Sequence, residues 1–411
     1  MKQSYPPNET GTSLLAPFFE RSIGFGQRQL ADSMRRRIYR AAPALAERLD
    51  FDDDDIYLEP LLFSAFQGAG EPGERQLGQL LSGYISPADR QPEIPVVTDG
   101  SGVVHLPPIG YFRTGLRDAE LQLRWTHDAR IAQLSVGTTL VESAFECPIT
   151  IPGTRIEIAR ACHPLLRPLL TEPGVSATDA CTAPSPVHVR QLGDALACVG
   201  MHLPRYLEYI ETVTRRVVLF TSSHYSFATI GAHGIAFLNV PDDASGPFFV
   251  EDLVHQCGHI IFNAITLERD AFLAVDPRRS LRDVVGADDD GSIYGAYHGL
   301  FTQAHINQCL CSLYRAGTFR GQEQHELAGR IADDMKRFAF ALKLLGRRAL
   351  YTELGWSLLQ AFRDTFDNLF DEQRDMILGL DTSNQPYIFD YRLFAERNRL
   401  PQAEPVRNET P

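Results

Sequence analysis

The sequence lacks the features of several common protein classes. None of its seven cysteines forms a Cys-x-x-Cys pair, so neither a zinc ribbon nor a disulfide framework is indicated. No apolar run approaches the length of a membrane span, and the N-terminal residues lack the charged and apolar regions of a signal peptide. We therefore expect a cytoplasmic protein with reduced cysteines and no membrane partner.

Positive charge is also scarce. The 39 Lys and Arg residues stand against 52 Asp and Glu residues, which gives a formal net charge of -13. A nucleic-acid partner is not expected, because binding to phosphates needs a basic surface. An acidic surface suits a basic peptide. The 44% of hydrophobic residues is ordinary for a globular protein with a sizeable core.

The chain of 411 residues is long enough for several packed parts. Its patterns predict a helical N-terminal part over residues 1–100, a mixed β/α part over 101–215, a metal-binding catalytic part over 216–400 and a flexible tail over 401–411. The expected fold class is α+β, mostly helical with a small sheet and a zincin-like metal helix. Two strands before that helix suggest a sheet edge that binds an extended peptide through its backbone.

The metal helix is predicted from the segment Glu251–Ile265, EDLVHQCGHIIFNAI, which follows an expected turn at 242–246. His255 and His259 are four residues apart, so on a helix both imidazoles project from one face and can bind one metal ion. Glu251 and Asp252 are expected in the first turn, where the helix macrodipole favours negative charge. The alternative is a buried helix with two hydrogen-bonded core histidines.

The residue between the histidines argues against ordinary peptide hydrolysis. In zinc peptidases with the motif His-Glu-x-x-His, the glutamate is the general base for the metal-bound water. Here that position is Gln256, whose amide cannot take up a proton. The further metzincin positions hold Phe262 and Ile265 instead of Gly and His. An ordinary metallopeptidase is therefore disfavoured.

A second predicted helix, over 293–314, carries His298 and His305, which are seven apart and share a face. Three histidines, or two with a carboxylate, suit an oxygen-activating Fe(II) site as well as a zinc site. None of the twelve histidines is followed two places later by an acid. The His-x-Asp/Glu pattern of jelly-roll 2-oxoglutarate oxygenases is therefore absent.

Several short motifs occur in order over residues 216–360. They are Ser226-Phe227, His233-Gly234, Phe237-Leu238-Asn239, His255-Gln256-Cys257-Gly258-His259, Arg279-Ser280-Leu281, Tyr297-His298-Gly299-Leu300 and Leu350-Tyr351-Thr352-Glu353-Leu354-Gly355. In these the chain resembles the bacterial HExxH-type 2-oxoglutarate-dependent peptide β-hydroxylases, which modify ribosomally made peptides in natural-product (RiPP) biosynthesis. Gln256 departs from the glutamate that gives the family its name.

The resemblance implies an iron site and a reaction. Fe(II) would be held by His255, His259 and a later histidine, with His298 preferred to His305. 2-Oxoglutarate would chelate the iron, and O2 would be used to hydroxylate the β-carbon of a residue in a peptide. Gln256 would hydrogen-bond a ligand or the cosubstrate, or would mark a member that has lost activity.

The distal carboxylate of the cosubstrate needs a cation, and the planar fork of arginine suits it. Arg279 and Arg282 are the candidates, with Arg315 in reserve. Two alternatives stay open: an atypical zinc metallohydrolase in which another acid replaces the missing base, and a non-catalytic peptide-binding relative.

Overall fold

In the computed structural model, residues 16–68, 70–126, 132–170 and 181–400 are described. Within these ranges the chain forms fourteen α-helices and eleven β-strands, and the strands make three small sheets. The fold class is therefore α+β and mostly helical, as predicted, with three small sheets where one was expected. The predicted flexible tail over 401–411 lies outside the described residues.

The helices are α1 (Ala16–Ala41), α2 (Pro43–Ala46), α3 (Asp54–Tyr57), α4 (Pro60–Ala65), α5 (Glu74–Leu81), α6 (Arg167–Leu170), α7 (Pro186–His202), α8 (Pro204–Val213), α9 (Gly246–Ile265), α10 (Leu281–Val285), α11 (Ile293–Ala316), α12 (Gln322–Leu345), α13 (Glu353–Gly379) and α14 (Tyr391–Arg397). The strands are β1 (Glu93–Val97), β2 (Val103–Leu106), β3 (Gly110–Thr114), β4 (Glu120–Trp125), β5 (Ala132–Val136), β6 (Thr139–Leu140), β7 (Ser143–Glu146), β8 (Ile149–Thr150), β9 (Glu157–Ile158), β10 (Arg216–Phe220) and β11 (Ile235–Asn239). Among the described helices, none is both long and apolar enough to cross a membrane.

The central sheet has the order β11-β10-β9-β8, in which β10 runs parallel to both β9 and β11. Both faces of β10 are covered. Val217 and Leu219 point into the core that contains α9, whereas Val218 and Phe220 point into a second core built by the N-terminal helices. A strand that is buried on both faces has an uninterrupted apolar sequence, which explains why this stretch was predicted as a strand.

The N-terminal helices connect the two cores. Helix α1 contributes its first half to the α9 core and its second half to the other. It crosses α9 at Gly26, where a Cβ atom would lie 2.0 Å from the carbonyl oxygen of Ala264. Only glycine permits this approach, so α1 is fixed against the C-terminal end of α9.

The middle part contains more strand than the sequence suggested. The sheets β1-β4-β5-β6 and β2-β3-β7 enclose a third, smaller core. Strand β1 pairs antiparallel with β4 although it lies inside the part predicted to be helical. Further along, α7 ends at His202 and α8 begins at Pro204, since proline cannot continue the hydrogen bonds of a helix.

Candidate functional site

A large cleft lies beside α9. Its volume is about 1520 Å³, and its walls come from α9, α11, α12, the segment 224–228 and the segment 378–389. His255, Gln256 and His259 all line it. The sequence motif is therefore on the surface of the cleft, and it is not enclosed in the core.

Helix α9 begins earlier than predicted. The Ser245 side chain caps it by accepting the backbone N–H of Phe248, and Pro247 occupies the first turn, where a missing N–H costs nothing. The expectation that Glu251 and Asp252 stand at the helix start is therefore wrong: both lie in the second turn. The carboxylate of Glu251 is instead paired with Arg330 across the cleft, at 2.8 Å.

The two histidines of the motif lie side by side. Both are half-buried, and the centroids of their rings are 4.8 Å apart. Burial lowers the pKa of His255. The pKa of His259 is lowered well below its usual value, mainly by burial and also by the neighbouring His298 and His255. Both imidazoles are therefore neutral near pH 7, which is the form that binds a metal ion.

Gln256 is fixed by a chain of hydrogen bonds that starts at the central sheet. The backbone N–H of Asn239 donates to Ser226 Oγ (2.9 Å), and this hydroxyl donates to Asp252 Oδ2 (2.7 Å). Gln256 Nε2 then donates to Asp252 Oδ1 at 3.1 Å. Burial raises the pKa of the Asp252 carboxyl to about 7, against the lowering effect of these hydrogen bonds.

The amide oxygen of Gln256 has no hydrogen-bond partner in the part of the chain that the structure describes. The residue is only 2% exposed, and its Oε1 atom is buried and unpaired among the described residues. An unpaired buried acceptor costs about 1–3 kcal/mol. Because Asp252 holds the other half of the amide, this oxygen is the part of the Gln256 side chain that is left without a partner among the described residues.

His298 lies next to His259 without reaching the cleft wall. The two rings are 4.5 Å apart, and His298 Nε2 is 3.1 Å from the backbone carbonyl oxygen of His259. Burial lowers the pKa of His298 to about 3, so its ring is neutral and the Nε2–H donates to that carbonyl. In residues 16–400, apart from the three undescribed gaps, no group of three His, Cys, Asp or Glu side chains is placed to hold a metal ion.

His305 belongs to the core. Its ring stacks on Tyr206 with centroids 4.5 Å apart, and its Nδ1 bonds the carbonyl oxygen of Phe301 at 2.9 Å. Burial lowers its pKa to about 4. These contacts hold the ring away from the histidine pair of α9.

The arginines predicted for the cosubstrate do not line the cleft. Arg279 and Arg282 are exposed, and Arg282 is paired with Asp288 and Asp290. Arg315 is paired with Glu372. The cations that do line the cleft are Arg330, Lys336 and Arg337 of α12, which the sequence analysis did not single out. Acidic residues four positions before each arginine were a signal that could have drawn attention to this helix face.

At the edge of the central sheet, the segment 226–228 pairs with β11. Phe227 and Phe237 exchange both backbone hydrogen bonds, at 3.0 and 2.9 Å, so the segment 226–228 lies outside β11. This segment lines the cleft and, through this single bridge, is the outermost backbone on that side of β11. Comparisons of the chain with protein-family models and with curated proteins found no match.

Proposed function

We propose that this protein is a cytoplasmic Fe(II)- and 2-oxoglutarate-dependent oxygenase that hydroxylates the β-carbon of a residue in a peptide. The observation that carries the proposal is the pair of neutral imidazoles of His255 and His259, which lie side by side on the wall of a cleft wide enough for a peptide. Helix α9 would then be a zincin-like metal helix. The free state of all seven cysteines agrees with a reducing compartment.

The residues present fit a metal ion in part. His255 and His259 supply two nitrogen ligands on one helix face, and Gln256 Oε1 is an unpaired oxygen beside them. We assign His298 to holding the backbone of His259, since its Nε2 is already used there. When bound, iron with 2-oxoglutarate and O2 would supply the oxidation of a C–H bond, a reaction that needs no general base at position 256.

The segment 226–228 supports a peptide as substrate. In an antiparallel pair, residues adjacent to a hydrogen-bonded pair direct their N–H and C=O groups to the opposite side. Ser226 and Ala228 flank Phe227 in this way, and neither forms a backbone–backbone hydrogen bond with another described residue. An extended peptide can therefore add to this edge as a further strand.

For the distal carboxylate of 2-oxoglutarate we propose Arg337. It lines the cleft and is less buried than Arg330, which two glutamates hold. Its present partners are Asp333 and the carbonyl oxygens of Pro386 and Tyr387, and 2-oxoglutarate would replace one of these contacts. Arg279 and Arg282, the candidates from the sequence, would have to turn inward from the surface. The two assignments can be separated by substitution.

A non-catalytic peptide-binding protein is the second candidate. It is favoured by one observation, the absence among the described residues of three side chains placed to hold a metal ion. A zinc hydrolase has less support, because Gln256 cannot act as the base. Succinate formation that requires both Fe(II) and 2-oxoglutarate would support the oxygenase. Peptide binding that metal does not affect, without succinate from any tested peptide, would support the second candidate.

A further inference from the structure

The cleft is acidic even after its own cations are counted. Six carboxylates line it (Glu251, Asp252, Asp289, Asp333, Asp334 and Asp381), against three cations (Arg330, Lys336 and Arg337). Each cation is already engaged. Arg330 pairs with Glu251 and Glu326, Arg337 pairs with Asp333, and Lys336 donates to a carbonyl and a hydroxyl oxygen.

Three of the six carboxylates, Asp252, Asp289 and Asp334, form no ion pair with a basic residue among the described residues. Asp252 is held by Ser226 and Gln256, and the exposed Asp289 accepts the backbone N–H of Gly291, which leaves Asp334 as the candidate. It is partly exposed in the cleft, and Asn307 Nδ2 donates to its Oδ2 at 3.1 Å. No ion pair joins it to a basic residue within the described ranges. Burial and the nearby carboxylates Glu251 and Asp333 raise its pKa well above the usual range.

Two unpaired amide oxygens accompany Asp334. Asn307 is fully buried, and its Nδ2 is directed at both Asp334 and the carbonyl oxygen of Gln303, which leaves Oδ1 without a partner. The side-chain Oε1 of Gln303, which lines the cleft, is also buried and unpaired. With Asp334 ionised, its carboxylate and the unpaired oxygens of Gln303 and Asn307 are hydrogen-bond acceptors, which complement a group that only donates.

The chemistry of the cluster selects an organic cation. A divalent metal is less suited to this cluster, because Asp334 is its single carboxylate and the other two acceptors are neutral amide oxygens. A guanidinium group carries five N–H donors in a plane and can satisfy acceptors that are spread apart. It also fits beside the apolar residues of the cleft rim, Tyr225, Phe340, Leu378, Tyr387 and Ile388, whose exposed fractions run from 48% to 67%.

We propose that Asp334 and Gln303 bind the guanidinium of an arginine in the substrate peptide, while an apolar side chain of the same peptide packs on the rim. Asn307 positions the Asp334 carboxylate. The proposal rests on the proposed function in placing the peptide in this cleft, but binding itself requires no metal. Charge-assisted hydrogen bonds to one carboxylate should improve affinity by about tenfold or more.

The test is a binding measurement on the full chain without added metal. The probes are short acetylated peptides with one phenylalanine and one arginine at varied separation, and a matched set in which citrulline replaces arginine. Citrulline keeps the shape of the arginine side chain and removes its charge. Asp334→Asn removes the proposed partner, and Asp289→Asn makes the same chemical change at an exposed position on the rim of the same cleft.

The expected result is at least one arginine peptide that binds about tenfold tighter than its citrulline match. Asp334→Asn should abolish this preference and Asp289→Asn should keep it. Equal binding of the two sets, a preference that survives Asp334→Asn, or no binding of any peptide would overturn the proposal. A clear arginine preference in a protein that binds no iron would support this inference and contradict the oxygenase.

Discussion

Gln256 and Asp252, one helical turn apart on α9, share a 3.1 Å hydrogen bond from the amide nitrogen to the carboxylate. This contact explains why an amide is tolerated at the position where zinc peptidases need a carboxylate. A glutamate at 256 would face the buried Asp252 with a second negative charge. The pair therefore stabilises the helix beside the histidines and at the same time removes the base for hydrolysis.

Replacing Gln256 with the glutamate of the zinc peptidase motif should destabilise the protein as pH rises. In Gln256→Glu the two carboxyl groups can share a proton at low pH, but both become charged above the raised pKa of the pair and then repel each other. We expect a loss of about 1–3 kcal/mol at alkaline pH and little loss at acidic pH. Thermal unfolding followed against pH measures this. The double variant with Asp252→Asn should recover the wild-type profile, and a pH-independent loss would count against the repulsion.

His298→Ala should lower stability more than iron binding. The imidazole is buried and donates to the backbone of His259, so its removal leaves a cavity and takes away one hydrogen bond, at a cost of about 2–4 kcal/mol. Iron affinity should fall by less than about tenfold, whereas His255→Ala and His259→Ala should each lose it. The iron content of each folded variant shows whether His298 is a ligand or a structural residue. If folded His298→Ala retains no iron, His298 is a ligand, as the resemblance implies.

Substitutions of Arg337 and Arg282 are expected to have different effects on the binding of 2-oxoglutarate. Arg337→Met removes a cation from the cleft and should raise the KM for 2-oxoglutarate by about tenfold or more, the value of a charge-assisted hydrogen bond. Arg282→Met should leave the KM unchanged, because that side chain pairs with Asp288 and Asp290 at the surface. A reversed pattern would return the assignment to the sequence-based prediction.

Acid should destabilise the fold through its buried histidines. Burial lowers the pKa of His305 to about 4, below the usual value near 6.5. The unfolded chain therefore binds a proton that the folded chain does not, so stability is full above about pH 6.5 and falls as pH drops toward 4.

The slope expected from one such histidine is about 1.4 kcal/mol per pH unit. His305→Phe preserves stacking with Tyr206 and cannot take up a proton, so its stability should depend less steeply on pH by that amount. Urea unfolding of both proteins at several pH values tests this, and the difference between them removes the contribution of other groups. Parallel curves would contradict the assignment.

The helices and strands around the site could be predicted from local sequence patterns. The contacts between them could not. The shared face of His255 and His259 and the strand at β10 depend on spacing and side-chain chemistry within a few residues. The start of α9 was placed too late, because Gly246 and Pro247 are typical of turns and only the Ser245 cap shows that they begin a helix. The strands β1 to β3 were missed because they are short and contain or adjoin proline and glycine.

Long-range contacts decided the rest of the site. Arg330 meets Glu251 from 79 positions away, and His298 meets the backbone of His259 from 39 positions away. Spacing cannot reveal such partners. Arg279 and Arg282 were chosen because they lie between the two histidine helices in sequence, but both side chains are exposed at the surface.

The central claim is that His255 and His259 hold an iron ion that 2-oxoglutarate chelates. The most direct test is an anaerobic titration of the metal-free protein with Fe(II) and then 2-oxoglutarate, monitored for the weak visible charge-transfer band of the chelated cosubstrate. We predict that the band appears with the wild-type protein and is lost in His255→Ala and His259→Ala variants that remain folded. Iron binding without the band, no iron binding, or a band that survives both substitutions would contradict the claim.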